Sequence, residues 1–203
     1  MGLRQLRTSV RRTAAEALLR HTTRSVAVKM RSAFIGRFQP VHKGHIYSVS
    51  QILEKKEDLI IVIGSAQYSH TPNNPFTGGE RVMFMKGALI EEGLPLARID
   101  IIPLADINIH PLWVSHLRSF VPYFKKAYTH NPLVQSLLKA AGVEVDETDL
   151  LERNTYSAKN IRNLIGWDNP EWETLVPDSV AKIIKEHKLD DRIREVGEVT
   201  TKR

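Results

Sequence analysis

The 203-residue chain contains no cysteine. That absence excludes a disulfide scaffold, a thiolate zinc site, an iron–sulfur cluster and a cysteine nucleophile. No apolar run approaches the ~18 residues that a membrane-spanning helix needs, so a soluble globular domain is expected. Internal repeats are also missing, as is low complexity outside the N-terminal segment. A uniform excess of positive charge is absent too, despite a net charge of +6. Residues 1–29 hold seven basic side chains and one acid, Glu16, whereas Met30 to Arg203 carries 22 of each sign. The basic character therefore says nothing about what the body binds, and no nucleic-acid or membrane partner is expected for it.

Residues 1–29 are rich in Arg, Ser and Thr and weakly amphipathic around Ala14–Arg20. That composition fits an organelle transit peptide. Two other readings are an over-extended start without function and a nucleic-acid-binding arm. With few large apolar residues, the segment is expected to be disordered, or at most a short isolated helix. The working division is an extension over 1–29 and one domain over 30–203. A cytoplasmic location is expected, or an organelle matrix if the extension is a targeting signal.

What is present in the body is alternation. Short apolar runs at Ser32–Gly36, Leu59–Gly64, Ile99–Leu104, Ala127–Thr129 and Val143–Val145 read as buried parallel strands. Between them, Lys43–Lys56, Gly79–Glu92, Pro111–Val121 and Pro132–Ala141 have helical character, and Ser157–Gly166 and Pro177–His187 add C-terminal helices. Ser65–Gly78, polar and containing Pro72 and Pro75, reads as a loop. The expected fold class is α/β: a doubly wound, Rossmann-like, five-stranded parallel sheet. In such sheets ligands bind beyond the carboxyl ends of the strands, where strand order reverses.

The chemistry-bearing residues follow strands. Gly36-Arg37-Phe38-Gln39-Pro40-Val41-His42-Lys43-Gly44-His45 leaves the first strand and enters the first helix. A helix N-terminus offers free N–H groups and partial positive charge, which favours phosphate. Gly36 and Gly44 let backbone approach a ligand, Arg37 adds a cation, and two histidines three residues apart can donate to phosphate oxygens from one face. Zinc is the competing use of two histidines, but no carboxylate stands where H-E-x-x-H would need it. A second cluster, Thr155-Tyr156-Ser157-Ala158-Lys159-Asn160-Ile161-Arg162, places a helix N-cap before an arginine and reads as a second phosphate clamp.

Together these strings resemble the nucleotidyltransferase superfamily with a His-x-Gly-His signature and a C-terminal Ser-x-x-x-(Ile/Val)-Arg signature. The pattern is most similar to the archaeal-type nicotinamide-nucleotide adenylyltransferases. Ile63-Gly64-Ser65-Ala66-Gln67 with Ser69-His70, Asn74-Pro75-Phe76-Thr77 with Gly79-Glu80-Arg81, Pro103 through Asp106 to Trp113-Val114, and Asn131-Pro132-Leu133-Val134 carry the narrower match. It runs from Met30 to about Leu189.

The resemblance implies adenylyl transfer from ATP to nicotinamide mononucleotide, giving NAD and pyrophosphate, with Mg2+ bridging the phosphates rather than held by protein ligands. It implies that Arg37, His42, His45 and Arg162 are catalytic. ATP would be bound by these four with Gly36, Phe38, Gly44, Asn131 and Ser157. Ser65, Asp106 and Trp113 would form the mononucleotide pocket, with Trp113 stacked on the nicotinamide ring. A homo-oligomer is also implied. His110 replaces a common Asn, His130 a small residue, and Asn163 one of the further arginines that relatives often carry after the signature arginine. The rival readings are the same chemistry on another acceptor, such as pantetheine phosphate, flavin mononucleotide or (by cytidylyl transfer) a polyol phosphate, and a non-catalytic nucleotide sensor. No Nudix-like string accompanies the domain.

Overall fold

The computed structural model describes residues 30–55 and 57–201. The expectation of disorder for 1–29 therefore lies outside the described residues. Strands β1 (Arg31–Gly36), β2 (Asp58–Ile63), β3 (Ile99–Pro103), β4 (Lys126–Tyr128) and β5 (Glu144–Asp146) form one parallel sheet in the order β3-β2-β1-β4-β5. Helices α1 (Lys43–Glu54), α2 (Gly78–Glu91), α3 (Trp113–Phe120) and α4 (Pro132–Ala140) connect successive strands. Helices α5 (Ala158–Gly166), α6 (Trp172–Leu175), α7 (Asp178–Glu186) and α8 (Leu189–Thr201) follow β5.

Strand alternation builds two cores. Phe34, Leu59, Ile61 and Ile63 face one way and pack with Ile46, Val49, Phe84, Leu89, Ile161 and Ile184 of α1, α2, α5 and α7. Ala33, Ile35, Ile60 and Val62 face the other way, against Trp113, Leu117 and Leu138 of α3 and α4. A strand buried on both faces has no polar face to show, which is why β2 reads as the continuous run DLIIVI. β1 pairs in parallel with β2 on one side and β4 on the other. The chain winds outward to β3, then crosses β1 to begin β4, so the reversal falls between β1 and β4.

Expected strand boundaries shift by a residue at β4 and β5. The larger difference is α8, which the sequence reading did not foresee. Among its described side chains, Leu189 and Ile193 are the buried apolar ones. It docks through charge: Arg192 forks onto both carboxylate oxygens of Glu80 at 2.7 and 2.9 Å. Such a long-range pair leaves no periodic trace in the sequence. The α2 N-terminus does: Thr77 accepts from the Glu80 N–H, and the Glu80 side chain accepts from the Thr77 N–H, a complete capping box.

Candidate active site

A cavity of about 590 Å³ opens at the β1/β4 reversal. Gly36, Arg37, Phe38 and His45 line it from the β1–α1 connection, and Thr129, His130 and Asn131 from the end of β4. Gly64, Ser65, Asp106, His110 and Trp113 line it from the β2 and β3 side. Eight residues expected in the site therefore line one cavity: Gly36, Arg37, Phe38, His45, Ser65, Asp106, Trp113 and Asn131.

At the β1–α1 connection Phe38 takes a left-handed backbone conformation, φ +53°, uncommon for a bulky residue. Its buried ring folds back over Gly36 and meets His45 edge-on at 4.8 Å. A Cβ on Gly36 would stand 2.9 Å from that ring, so glycine is required there by Phe38. Gly44 has a similar reason: a Cβ would lie 3.1 Å from His42 Nδ1 and 3.2 Å from Tyr156 Cβ. Its space is filled by protein, which corrects the expectation that it admits the ligand.

His42 is the N-cap of α1, and its ring stacks on His45 at 3.5 Å and 23°. The His42 backbone N–H donates to His45 Nδ1 at 3.2 Å. Neutral imidazole has one acceptor nitrogen, so this bond leaves the His45 proton on Nε2. Burial pushes the His42 pKa down to about 3. Burial, reinforced by His42 and His130, holds His45 well below its ordinary value. Both rings are therefore neutral near pH 7, and His45 is a hydrogen-bond donor whose orientation is set by backbone. His42 does not line the cavity, and its Nδ1 is buried at the start of α1. The first turn of α1 carries no acid, so its positive end stays available to an anion.

The opposite wall is built from the loops after β2 and β3 and the first residue of α3. Ser65 follows β2 in a left-handed conformation, φ +52°, and its Oγ donates to Asp106 Oδ2 at 2.6 Å. Trp113 Nε1 donates to Asp106 Oδ1 at 3.3 Å. Gln67 clamps the Asp106 backbone by donating to its carbonyl and accepting from its N–H, both at 2.9 Å. Trp113 is 7% exposed and belongs to the core of the α3–α4 face. It is a core residue and a cavity wall at once.

The second sequence cluster lies behind the first, outside the cavity lining. Ser157 caps α5 by accepting from the Asn160 N–H. Arg162 donates from Nη1 to the Gln39 carbonyl at 2.7 Å and from Nε to that of Pro72 at 3.0 Å. Burial, then the charge of Arg37, lowers its pKa to about 10. In this conformation it pins the turn that carries Arg37 and Phe38. Asn131 spends its side-chain oxygen capping α4, accepting from the N–H groups of Leu133 and Val134. His110 and His130 both line the cavity, and Asn163 is exposed elsewhere.

Two functional candidates were missed by the sequence reading. Gln39 is buried and exchanges two bonds with the Phe76 backbone, at 2.9 and 3.0 Å. Arg81 is fully buried beneath the ends of β1 and β2. The capping box at Thr77 and Glu80 marks where its helix begins, but no local pattern says that the next side chain turns inward.

Comparison with known proteins decides the family. Residues 33–164 match the family model described as cytidylyltransferase-like. The nicotinamide-nucleotide adenylyltransferase of Ignicoccus hospitalis is 48% identical over 168 residues, covering 83% of this chain and 98% of that one. That of Methanospirillum hungatei is 47% identical over 169 residues, 83% and 95% of the two chains. This chain belongs to the nicotinamide-nucleotide adenylyltransferase family. The adenylyltransferase of Archaeoglobus fulgidus is 46% identical over 171 residues, 83% and 98%. Among solved structures, a bifunctional NMN adenylyltransferase/ADP ribose pyrophosphatase from Francisella tularensis superposes with a TM-score of 0.68 at 23% identity. The alignment covers 85% of this chain and 55% of that one, and it establishes the Rossmann-like fold.

Proposed function

We propose that the protein transfers the adenylyl group of ATP to nicotinamide mononucleotide, giving NAD and pyrophosphate. The observation that carries this reading is that two half-sites face one cavity of about 590 Å³. The phosphate-directed half is Gly36, Arg37, Phe38 and His45, and the aromatic half is Ser65, Asp106 and Trp113.

In this reaction an oxygen of the mononucleotide phosphate attacks the α-phosphorus of ATP, and the bond to the bridging oxygen of pyrophosphate breaks. A phosphate monoester has a second pKa of ~6, so the nucleophile is a dianion at pH 7 and needs no general base. Alignment of two anions and neutralisation of growing charge remain for the protein. His45 supplies a neutral Nε2–H donor toward the phosphates, and the α1 N-terminus supplies backbone N–H groups. Arg37, exposed at the cavity wall, supplies a cation. Trp113 offers an aromatic face to the pyridine ring, with Asp106 holding its indole N–H.

Nucleotidyl transfer of this family uses a divalent metal, and we take Mg2+ as the ion. Among the described residues no group of three or more His, Cys, Asp or Glu could hold a metal. We read the ion as one that would arrive on the phosphates of ATP and offset their charge. A cytoplasmic location and a homo-oligomer are proposed with the same reading.

The test is pyrophosphate release from ATP and Mg2+, with acceptor phosphates supplied one at a time. Release with nicotinamide mononucleotide, matched by NAD formed in equal amount, is expected. Faster release with pantetheine phosphate or flavin mononucleotide would replace the acceptor, and no release with any acceptor would favour a nucleotide sensor.

A further inference from the structure

Arg81, at the start of α2, is 0% exposed. A buried guanidinium normally pairs with a carboxylate. Among the described residues, this one makes no ion pair within 4 Å. The neighbouring Glu80 carboxylate is taken by Arg192 and by the Thr77 N–H. Arg81 spends its donors on backbone carbonyls instead. Nε donates to Thr77 at 3.1 Å, Nη1 to Arg37 at 3.0 Å and to Gly64 at 2.8 Å, and Nη2 to Ser65 at 3.1 Å.

These carbonyls are not an arbitrary set. Arg37 is the first residue past β1, and Gly64 and Ser65 are the first two past β2. One planar group thus fixes the spacing between the two strand ends that frame the cavity. From the Arg37 carbonyl the chain continues into Phe38 and the His42–His45 stack. From Ser65 the link continues through its Oγ to Asp106 and on to Trp113 Nε1. Carbonyl oxygens at strand ends carry partial negative charge toward an incoming anion. Arg81 covers three of them and adds a full positive charge beneath the site. Burial, then the charge of Arg37, lowers its pKa to about 10, so it stays cationic at neutral pH.

We propose that Arg81 is a positioning residue for adenylyl transfer, holding the ends of β1 and β2 in register so that Arg37 and the Ser65–Asp106–Trp113 wall meet the two substrates together. The proposal rests on the adenylyltransferase reading for the identity of those substrates. Lysine cannot replace the fork, because its three donors radiate from a single atom.

The experiment measures the Kd of ATP and of nicotinamide mononucleotide separately by calorimetry, on wild type, Arg81→Lys, Arg37→Ala and Trp113→Ala. Because no turnover is needed, an acceptor other than nicotinamide mononucleotide would show in the wild-type titration and leave the ATP comparison standing. Arg37→Ala is expected to weaken ATP alone and Trp113→Ala the mononucleotide alone. Arg81→Lys, held well below its melting temperature, is expected to weaken both at least tenfold. If it leaves either Kd within threefold of wild type, the proposal is overturned. Should Arg81→Lys fail to fold, Arg81→Ala is titrated with millimolar guanidinium chloride against sodium chloride of equal ionic strength. Recovery of both affinities by guanidinium supports the proposal, and recovery of neither or only one overturns it.

Discussion

The two walls of the cavity are made in different ways. The phosphate-directed wall is a strand end, a tight connection and a helix N-terminus, all within residues 36–45. Its histidines stack at 3.5 Å, and its left-handed Phe38 is locked over Gly36. The aromatic wall is assembled from Ser65, Gln67, Asp106 and Trp113, joined by hydrogen bonds that span up to 41 residues of sequence. Its rim, residues 108–112, is exposed. A wall built on regular elements holds groups that must not move while charge shifts. A wall built on loop is where recognition is adjusted, and His110 stands in that rim.

If the division holds, the largest effect falls on turnover. His45→Ala is expected to lower kcat by two to three powers of ten while the Kd of ATP changes only a few-fold. Loss of one donor aimed at developing charge costs ~3–4 kcal/mol. Steady-state kinetics beside calorimetry checks this, and a kcat within threefold of wild type would remove His45 from the mechanism.

Trp113→Ala should act on the other axis. Base–aromatic stacking is worth ~1–3 kcal/mol, so KM for the mononucleotide rises about tenfold to a hundredfold while KM for ATP barely changes. Because Trp113 is also core, the same change costs ~3–5 kcal/mol of stability. Trp113→Phe separates the roles: it keeps an aromatic face and loses the bond to Asp106. Equal rises in both KM values would erase the distinction between the walls.

Acid should begin to destabilise the histidine wall at a higher pH than it titrates most carboxylates, because the unfolded chain takes up the proton first. The folded His42 pKa is about 3 against 6.5 when unfolded, so the unfolded chain binds the extra proton between these values. This contribution to stability is complete above pH 6.5 and is lost as pH falls toward 3, amounting to about a few kcal/mol. Melting temperature should fall between pH 6.5 and 4.5, and His42→Asn should flatten that fall. An unchanged drop in the variant would mean that other groups govern it.

The smallest effect is expected from residues 1–29. A protein of residues 30–203 should melt within a few degrees of the full chain and turn over alike, because every residue named in either wall is retained. A salt-dependent loss of kcat/KM on truncation would mean that the arginines of the segment steer anionic substrates.

The same contrast explains what the sequence could tell. The α/β alternation, the five strands and the His42-Lys43-Gly44-His45 connection are contiguous patterns, and each is legible because one short segment makes one element. Ser65, Asp106 and Trp113 were legible only through resemblance, since nothing local says that they meet. Arg81, Gln39 and α8 were not legible: the long-range partners that fix them lie between 16 and 117 residues away. Arg162 and Ser157 read from the sequence as a second phosphate clamp; Arg162 donates to the Gln39 and Pro72 carbonyls, and Ser157 caps its own helix α5. Gly36 lines the cavity as expected, and the space a side chain would take there is filled by the Phe38 ring, as that at Gly44 is by His42 and Tyr156.

The central claim is that buried, neutral His45 donates to the phosphates while the nucleophile needs no base. The pH profile of kcat/KM for nicotinamide mononucleotide, measured for wild type and His45→Ala, tests it most directly. An acid limb near the substrate's own second pKa of ~6 and a plateau above it are expected. The same limb should persist in His45→Ala, with the whole curve lowered by a hundredfold or more. Disappearance of the limb in the variant would make His45 a titrating base and contradict the account.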